Sequence, residues 1–483
     1  MSLSQLLALL PLIVAAGTAV VLMVAIAIVR HHGLTLALTV AGLLAVLAVL
    51  PLAARQVPVM VVTPLIGVDG LALFYTALVT LAALATAVLV YGYLGPRAAG
   101  REELYLLLVI ALLGAIVLVS SRHFAAFFLG LELVSVSLFA MLAYPRRRSQ
   151  ALDAGIKYLV LSSLASVLIL FGMALIYFQL GTLEFTEVGA RLAGSGPLMT
   201  GYLAAGTALL IAGVGFKLSL VPFHMWTPDV YQGAPAPVTG FLATVSKGAV
   251  LVLLLRYFVE AGVPVRMTPT VTVLALIAAA TMIVGNVLAL LQTNVKRILA
   301  YSSIAHFGYL LVALLAAGAL GVEAVSYYLV AYFVMTLGAF GVVTVCSRDG
   351  RETEALADYR GLAWQRPWLA GFFIVTLLSL AGVPLTAGFI AKFYVFAAGV
   401  GSALWPLVGV LVATSIVALF YYLRIVVVLL STATEEGTTS AGEVAPPSSG
   451  AAVLGALALA LVWLGIFPAP LIAMLRGIVA GLM

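Results

Sequence analysis

Apolar stretches of about twenty residues follow one another along almost the whole chain, and each is long enough to cross a bilayer as a helix. Only 8% of the 483 residues are charged and the mean hydropathy is +1.25, which excludes a soluble protein of this size. Because backbone polar groups in lipid must be bonded internally, the predicted fold is an all-α polytopic membrane protein. We delimit about fourteen transmembrane segments: 3–29, 34–54, 69–93, 104–121, 124–144, 152–180, 200–222, 235–259, 268–291, 299–319, 323–346, 367–398, 404–430 and 451–475.

Basic residues in the connecting loops predict the orientation of these segments. Loops after odd-numbered segments contain twelve: Arg30, Arg97, Arg101, Arg146, Arg147, Arg148, Lys296, Arg297, Arg348, Arg351, Arg360 and Arg366. Connections after even-numbered segments contain five: Arg55, Arg122, Arg191, Arg256 and Arg266. The bias predicts cytoplasmic odd loops and both termini outside. It also explains the net charge of +6 without a nucleic-acid partner.

Four lysines and one glutamate lie inside the predicted membrane segments: Lys157, Lys217, Lys247, Lys392 and Glu132. A charge at the bilayer centre costs about 2.5–3.5 kcal/mol on insertion scales, so such residues usually line an ion or proton path. Lys217, Lys247 and Lys392 are flanked by apolar or small residues on both sides. Lys157 lies five residues into its segment, behind Asp153; it is a candidate relay residue but is equally compatible with a side chain that extends to the interface. We expect Glu132 to pair with Lys217 or Lys157, because an opposing charge stabilises a buried ion.

Helix-breaking residues accompany two of these lysines. Pro222 follows Lys217, and the sequence TPDVYQGAPAPV after it is predicted to be irregular. Gly382 and Pro384 interrupt the twelfth segment shortly before Lys392. Two broken helices in corresponding halves are typical of inverted repeats around a midplane ion site. We therefore align helices 4–8 with helices 9–13.

This alignment divides the chain into five parts. They are helices 1–3 (1–103), a first five-helix repeat (104–262), a second repeat (263–430), a polar loop (431–450) and a C-terminal helix (451–483).

Two histidines lie where a proton relay needs them. His224 comes two residues after Pro222, and His306 lies early in segment ten. Imidazole titrates near pH 6.5 and can pass protons between separated lysines. No two histidines have metal-ligand spacing on a helix, so we expect no metal site. The single cysteine, Cys346, excludes an all-cysteine iron–sulfur cluster within the chain.

Four further charged residues are less informative. Asp69 and Asp229 are interpreted as cap or turn residues. Arg256 and Arg424 lie in or near segments eight and thirteen and receive no role from the sequence.

Three stretches carry a family resemblance. FKLSLVPFHMWTPDVYQGAPAPVTGFLATVSK (216–247), QTNVKRILAYSSIAHFGYLLVAL (292–314) and LSLAGVPLTAGFIAKFY (378–394) resemble the subunit N family of bacterial NADH:quinone oxidoreductase, respiratory complex I. Its members are antiporter-like membrane subunits, and the resemblance extends over essentially the whole chain.

The resemblance implies fourteen helices in two inverted five-helix repeats, with helices seven and twelve broken. It matches Glu132 and Lys217 to a carboxylate–lysine pair on helices five and seven. Lys157, Lys247 and Lys392 match lysines on helices six, eight and twelve. The implied location is the bacterial inner membrane, where the loop charges predict both termini on the periplasmic side.

The implied activity is proton translocation coupled to electron transfer in other subunits. Flavin mononucleotide, iron–sulfur clusters and quinone are expected in those membrane and peripheral partners, and no cofactor or metal in this chain. Two alternatives remain open: a cation/proton antiporter of the same fold, or a membrane scaffold whose lysines only tie helices together. Co-purification with NADH dehydrogenase activity would argue against an autonomous antiporter. A scaffold should tolerate single Lys→Met changes with pumping intact.

Overall fold

Helices form at almost every apolar segment in the computed structural model of this chain. The structure describes residues 2–55, 60–94, 100, 102–145, 148–194, 201–263, 268–316, 318–347, 352–432 and 448–482. In chain order the helices are α1 Leu3–Ala8, α2 Leu10–Ile28, α3 His32–Ala54, α4 Gly70–Leu94, α5 Glu103–Ser120, α6 Phe124–Leu142, α7 Ser149–Leu180, α8 Phe185–Gly194, α9 Gly201–Leu218, α10 Trp226–Gly233, α11 Ala236–Ala261, α12 Thr268–Leu290, α13 Val295–Ala316, α14 Gly318–Cys346, α15 Leu362–Gln365, α16 Pro367–Ala381, α17 Ala387–Gly401, α18 Trp405–Leu430, α19 Ser448–Ile466 and α20 Ala469–Ala480.

Three short elements interrupt this helical pattern. Strands β1 Met60–Thr63 and β2 Ile66–Val68 pair antiparallel in a hairpin that the sequence did not predict. A 3₁₀ turn occupies Leu356–Tyr359. Within α11, Leu242–Ser246 forms a π-helical segment immediately before Lys247.

Twelve helices in the described ranges are long and apolar enough to span a membrane. The pair α19 and α20 raises this to thirteen if it counts as one span, although it bends by 79°. The prediction of one continuous helix over 451–475 is therefore wrong: Phe467 and Pro468 separate two helices. The difference from fourteen lies at α16 and α17, which have 15 residues each and divide the predicted segment 367–398.

The lysine-bearing centre of the molecule is its most buried part. In an apolar 18-residue window of each of α11, α13 and α14, 94% of residues are buried, against 22% in the corresponding windows of α2 and α3. Because α11 carries Lys247 and α13 carries His306, these side chains lie far from the surrounding lipid.

The first break differs in detail from its prediction. Helix α9 ends at Leu218 rather than at Pro222, and Ser219 adopts a left-handed φ of 61°. Residues 226–233 then form α10, so the prediction that TPDVYQG is irregular is wrong. Pro228 is tolerated because it lies in the first turn, where a backbone N–H has no intrahelical acceptor. The chain breaks again at Ala234 and Pro235 before α11.

The second break lies where the sequence places it. Helix α16 ends at Ala381, and Gly382 takes a φ of +85° that a side chain would strain. Helix α17 begins at Ala387, where the hydroxyl of Thr386 accepts a hydrogen bond from the Phe389 N–H.

Several predicted loop residues lie outside the described residues. They are most of the polar loop, 433–447, and Arg97, Arg101, Arg146, Arg147, Arg266, Arg348 and Arg351. Two residues assigned to loops are instead fully buried in helices: Arg256 in α11 and Lys296 in the first turn of α13.

Candidate functional site

Lys217 sits at the end of α9 in a cluster of hydroxyl groups. Its Nζ donates to Ser135 Oγ of α6 at 2.8 Å and to Ser162 Oγ of α7 at 2.7 Å. Glu132, one turn before Ser135, is half-buried and accepts a hydrogen bond from Ser166. Glu132 and Lys217 are close enough to interact electrostatically, but no direct ion pair joins them in the described structure. Each of the two expected partners therefore bonds serine hydroxyls rather than the other charged group.

The Tyr158 hydroxyl connects the Lys217 cluster to the start of the next lysine site. Ser135, Ser162 and Ser246 are its neighbours and influence it electrostatically. Ser246 ends the π-helical segment and directly precedes Lys247. The hydroxyls around Lys217 thus extend to the turn that carries the second lysine.

Lys247 is enclosed by aromatic rings. Its Nζ donates to Ser303 Oγ at 3.1 Å and lies 5.1 Å from the ring centroid of Tyr231. The ring centroids of Phe307 and Trp226 lie 5.4 and 5.8 Å away. Ring faces attract a cation without fixing its direction. No carboxylate pairs with Lys247 in the described ranges, so the rings and one hydroxyl are its main stabilising contacts.

Hydroxyl groups continue from Lys247 along α13. Ser303 also bonds Tyr332 at 2.7 Å, and the Tyr332 ring centroid lies 5.5 Å from that of His306. The Nδ1 of His306 bonds the Tyr328 hydroxyl at 2.7 Å, and Nε2 contacts the Tyr422 hydroxyl at 3.3 Å. Both ring nitrogens therefore face hydroxyls that can donate or accept a proton.

Lys392 ends the series beside the second break. Its Nζ donates to the Ala381 carbonyl at 2.7 Å and lies 5.2 Å from the Tyr309 ring centroid. The Tyr309 and His306 rings are 5.8 Å apart. Glu132, the three buried lysines and His306 therefore form one line of neighbouring residues, in which ring contacts of Tyr309 make the last connection.

Lys157 and His224 lie apart from this line. The Lys157 side chain is 42% exposed and pairs with Asp153 at 2.9 Å and Asp229 at 3.3 Å, so it is not brought to Glu132. Asp229 also pairs with Arg297 at 2.8 Å. His224 is buried, and neither of its ring nitrogens has a hydrogen-bond partner in the described part of the chain.

The two unassigned arginines have structural partners. Arg256 makes a bidentate pair with Asp69, at 2.6 and 2.8 Å, and contacts Glu260 at 3.2 Å. Asp69 also caps α4 by accepting from the Ala72 N–H, as expected of a cap residue. Arg424 donates to the carbonyls of Leu290 and Gln292 at the end of α12.

Sequence reasoning missed a buried ion pair between Lys296 and Glu352. Both side chains are completely buried, and Arg148 lies 3.6 Å from the same carboxylate. Lys296 was assigned to a loop because it precedes an apolar run. The sequence signal that could have revealed it is the pair of glutamates in RETEALADY. Buried acids need a cationic partner, and the preceding basic residues offer candidates.

Among the described residues, no group of three or more His, Cys, Asp or Glu side chains is arranged to hold a metal ion. The chemistry that the described line offers is proton exchange between amines, an imidazole, a carboxylate and hydroxyls.

Comparison with known proteins places this arrangement in a family. The family described as NADH:quinone oxidoreductase/Mrp antiporter, TM, matches residues 121–418, which include every candidate site residue. NADH-quinone oxidoreductase subunit N from Nitrosospira multiformis is 52% identical over 411 residues, covering 82% of this chain and 81% of that protein. The subunit N of Chromohalobacter salexigens is 51% identical, covering 99% of this chain and 100% of that protein.

Solved structures agree with this assignment. A chain of respiratory complex I from Thermus thermophilus with bound aureothin has a TM-score of 0.80 at 33% identity, covering 96% of this chain and 98% of that one. A chain of the Mrp complex from Dietzia has a TM-score of 0.85 at 21% identity, over 100% and 98% of the two chains, and shows the shared fold alone. The present chain therefore belongs to the NADH:quinone oxidoreductase/Mrp antiporter transmembrane family, within the group of NADH-quinone oxidoreductase subunit N.

Proposed function

We propose that this chain translocates protons as a membrane subunit of NADH:quinone oxidoreductase, with Glu132, Lys217, Lys247 and Lys392 as the proton carriers. The observation that carries the proposal is the series of three buried amines, in which hydroxyls lie between Lys247 and His306 and the Tyr309 ring lies between His306 and Lys392. Lysine suits this task because its amine can give up a proton when its surroundings change, whereas a guanidinium stays charged.

The first step is assigned to Glu132 and Lys217. A conformational change in the complex moves Glu132 relative to the ammonium and alters how strongly Lys217 holds its proton. The released proton passes to the hydroxyls of Ser162 and Tyr158, which accept one proton and donate another. Ser246 then leads to the neighbouring Lys247.

The second step runs from Lys247 to Lys392. Ser303 accepts from Lys247 and contacts Tyr332, which lies against His306. The imidazole can take a proton on one nitrogen and release one from the other. The Tyr309 ring contacts the His306 ring and also lies against Lys392, beside the break between α16 and α17. His224 is assigned as a further relay at the first break, because its buried nitrogens have no partner in the described residues.

Lys157 is placed outside this path. Its half-exposed side chain and its two acidic partners favour an ion pair near the edge of the bundle. It therefore provides a control for substitutions at the buried lysines.

The wider arrangement follows the same proposal. Electrons pass from NADH to quinone through cofactors in other subunits, with no redox centre in this chain. Residues 104–262 and 263–430 form the two inverted repeats, with α16 and α17 together as one broken span in the second. Both termini face the periplasm of a bacterial inner membrane, as the loop charges favour.

The test is NADH-driven acidification of inverted membrane vesicles that carry Lys217→Ala in the assembled complex. We expect loss of pumping together with a fall in NADH:quinone reductase activity, because a proton carrier is coupled to turnover. Lys157→Ala is the matched control, and we expect it to retain most pumping. Full pumping at normal electron flux in Lys217→Ala would instead favour a scaffold role for the buried lysines.

A further inference from the structure

The break between α10 and α11 leaves backbone polar groups that no helix bonds. The carbonyls of Gln232 and Ala234 lie at the end of α10, and the N–H of Ala236 opens α11. Pro235, the N-cap residue of α11, provides no side-chain hydrogen bond. Because this region is buried, unbonded groups here would be costly, and another part of the chain must supply their partners.

Lys296 supplies the donors at the end of α10. Its Nζ donates to the Gln232 carbonyl at 2.8 Å and to the Ala234 carbonyl at 2.6 Å. A cation at the carboxyl end of a helix also interacts favourably with the helix dipole. Lys296 comes from the first turn of α13, more than sixty residues along the chain.

Glu352 supplies the acceptor at the start of α11. Its Oε1 accepts from the Ala236 N–H at 2.7 Å and from the Tyr93 hydroxyl at 2.7 Å. An anion at the amino end of a helix is likewise favourable. The other carboxylate oxygen accepts from Lys296, so one ion pair caps both ends of the break.

The hydrogen bonds of Lys296 separate a positioning role from a proton-carrying one. An ammonium has three N–H donors. In Lys296 two are given to carbonyls and one to Glu352. The side chain therefore has no donor left for a relay, in contrast to Lys247 with its single hydroxyl partner.

We propose that Lys296 and Glu352 are positioning residues that fix where α11 begins and thereby hold Lys247 between Tyr231 and Ser303. Lys247 follows Ala236 by eleven residues, about 16 Å along a helix, so a displaced helix start shifts the ammonium from its partners. The effect of this capping on pumping rests on the proposed function, whereas the capping itself is independent of it.

The test measures hydrogen exchange by mass spectrometry on the assembled complex carrying Lys296→Met together with Glu352→Leu. These changes remove both caps without leaving an unpaired buried charge, because Arg148, which also contacts Glu352, keeps Glu354 as a partner at 3.7 Å. We expect the peptide covering 232–241 to exchange about tenfold faster, with peptides of α6 unchanged. The matched control replaces a surface ion pair, Arg191→Met with Glu187→Leu, and should leave 232–241 unchanged. Unchanged exchange of 232–241 in the Lys296/Glu352 double variant would overturn the proposal.

A conservative variant covers the case in which the double variant does not assemble. Glu352→Asp keeps the charge but shortens the reach to Ala236. We expect about threefold faster exchange at the start of α11. Exchange equal to the unchanged protein would show that the charge alone matters and would also overturn the proposal. Because exchange reports on the break itself, its outcome is independent of whether Lys217→Ala abolishes pumping.

Discussion

Lys392 donates a hydrogen bond to the Ala381 carbonyl, so a residue assigned to carry protons also caps the end of α16. At the break between α10 and α11 the corresponding contact is made by Lys296, which is not among the proposed carriers. Loss of the Lys392 proton would weaken the attraction between its charge and the helix end, a contribution of about 0.3–1 kcal/mol. The break between α16 and α17 is therefore coupled to the protonation state of a proposed carrier, and the break between α10 and α11 is not.

Gly382 makes room for this contact. A Cβ at Gly382 would lie 2.8 Å from Cδ of Lys392, and its φ of +85° is unfavourable for a side chain. We expect Gly382→Ala to cost about 1–2 kcal/mol and to displace Lys392, measured as a lower denaturation temperature of the complex and slower vesicle acidification. Gly371→Ala, inside α16 and with open space around it, is the control. Unimpaired pumping in Gly382→Ala would show that the position of Lys392 is not critical.

The two serines beside Lys217 provide a second prediction. Ser135→Ala with Ser162→Ala removes both hydrogen-bond acceptors of the buried ammonium, a loss of about 1–3 kcal/mol for each unsatisfied group. We expect pumping to fall about tenfold because the hydroxyls are also the next groups on the path. Vesicle acidification per NADH oxidised measures this. Ser137→Ala is the control, since Ser137 bonds only the Leu133 carbonyl among its described contacts. Equal effects of the control and the double variant would remove the serines from the path.

Tyr328 tests the relay at His306. Tyr328→Phe removes the hydroxyl that bonds Nδ1 while keeping the ring and its packing. We expect normal assembly and about tenfold slower proton transfer, read as acidification at saturating NADH. Tyr177→Phe, at a tyrosine that is 53% exposed, should have no effect. A Tyr328→Phe complex that pumps at the normal rate would argue against a relay through this nitrogen.

Asp69 and Arg256 give a prediction about stability rather than transport. Asp69→Asn leaves a buried guanidinium without its charged partner at one end of α11, which should destabilise the subunit by about 3–5 kcal/mol. The measurement is thermal denaturation of the purified complex. Asp153→Asn, at an exposed carboxylate, is the control. A small effect of Asp69→Asn would mean that Glu260 alone can balance Arg256.

The same pair has a defined pH dependence. Burial raises the pKa of Asp69, but the charge and hydrogen bonds of Arg256 outweigh it and hold the pKa below its ordinary value. A carboxyl with a lowered pKa stabilises the fold above its ordinary range near 4 and loses that contribution as the pH falls through its folded value. We therefore expect the Asp69 contribution to be constant from pH 5 to 8 and to decline below about pH 4. A decline that starts near pH 6 would point to another group.

The apolar segments and the charged residues within them were readable from sequence because each reports a strong local effect. A run such as 104–121 predicts a spanning helix by length alone, and a lysine such as Lys247 is improbable in lipid without a function. Gly382 and Pro384 likewise marked a real break. Each of these inferences depends only on the free energy of placing one residue type in its immediate surroundings.

What the sequence did not predict depends on partners far along the chain. Lys296 looked like a loop residue because its buried partner, Glu352, is more than fifty residues away. Pro222 is a different case and suggested the wrong end for α9: the helix stops locally at Leu218, where Ser219 is left-handed and the N–H groups of Ser219 and Leu220 bond back to Phe216 and Gly215. The serines around Lys217 were missed because single hydroxyls in apolar helices are common and carry no local signal.

The π-helical segment Leu242–Ser246 sets the direction in which Lys247 points. Its turn contains one more residue than an α-helical turn, and each residue of an α-helix advances the side-chain direction by about 100°. Deleting a single residue from this segment would leave the helix length almost unchanged but rotate the lysine away from Ser303 and the aromatic rings. The placement of Lys247 against its neighbours in the proposed path thus depends on one additional residue in a helical turn.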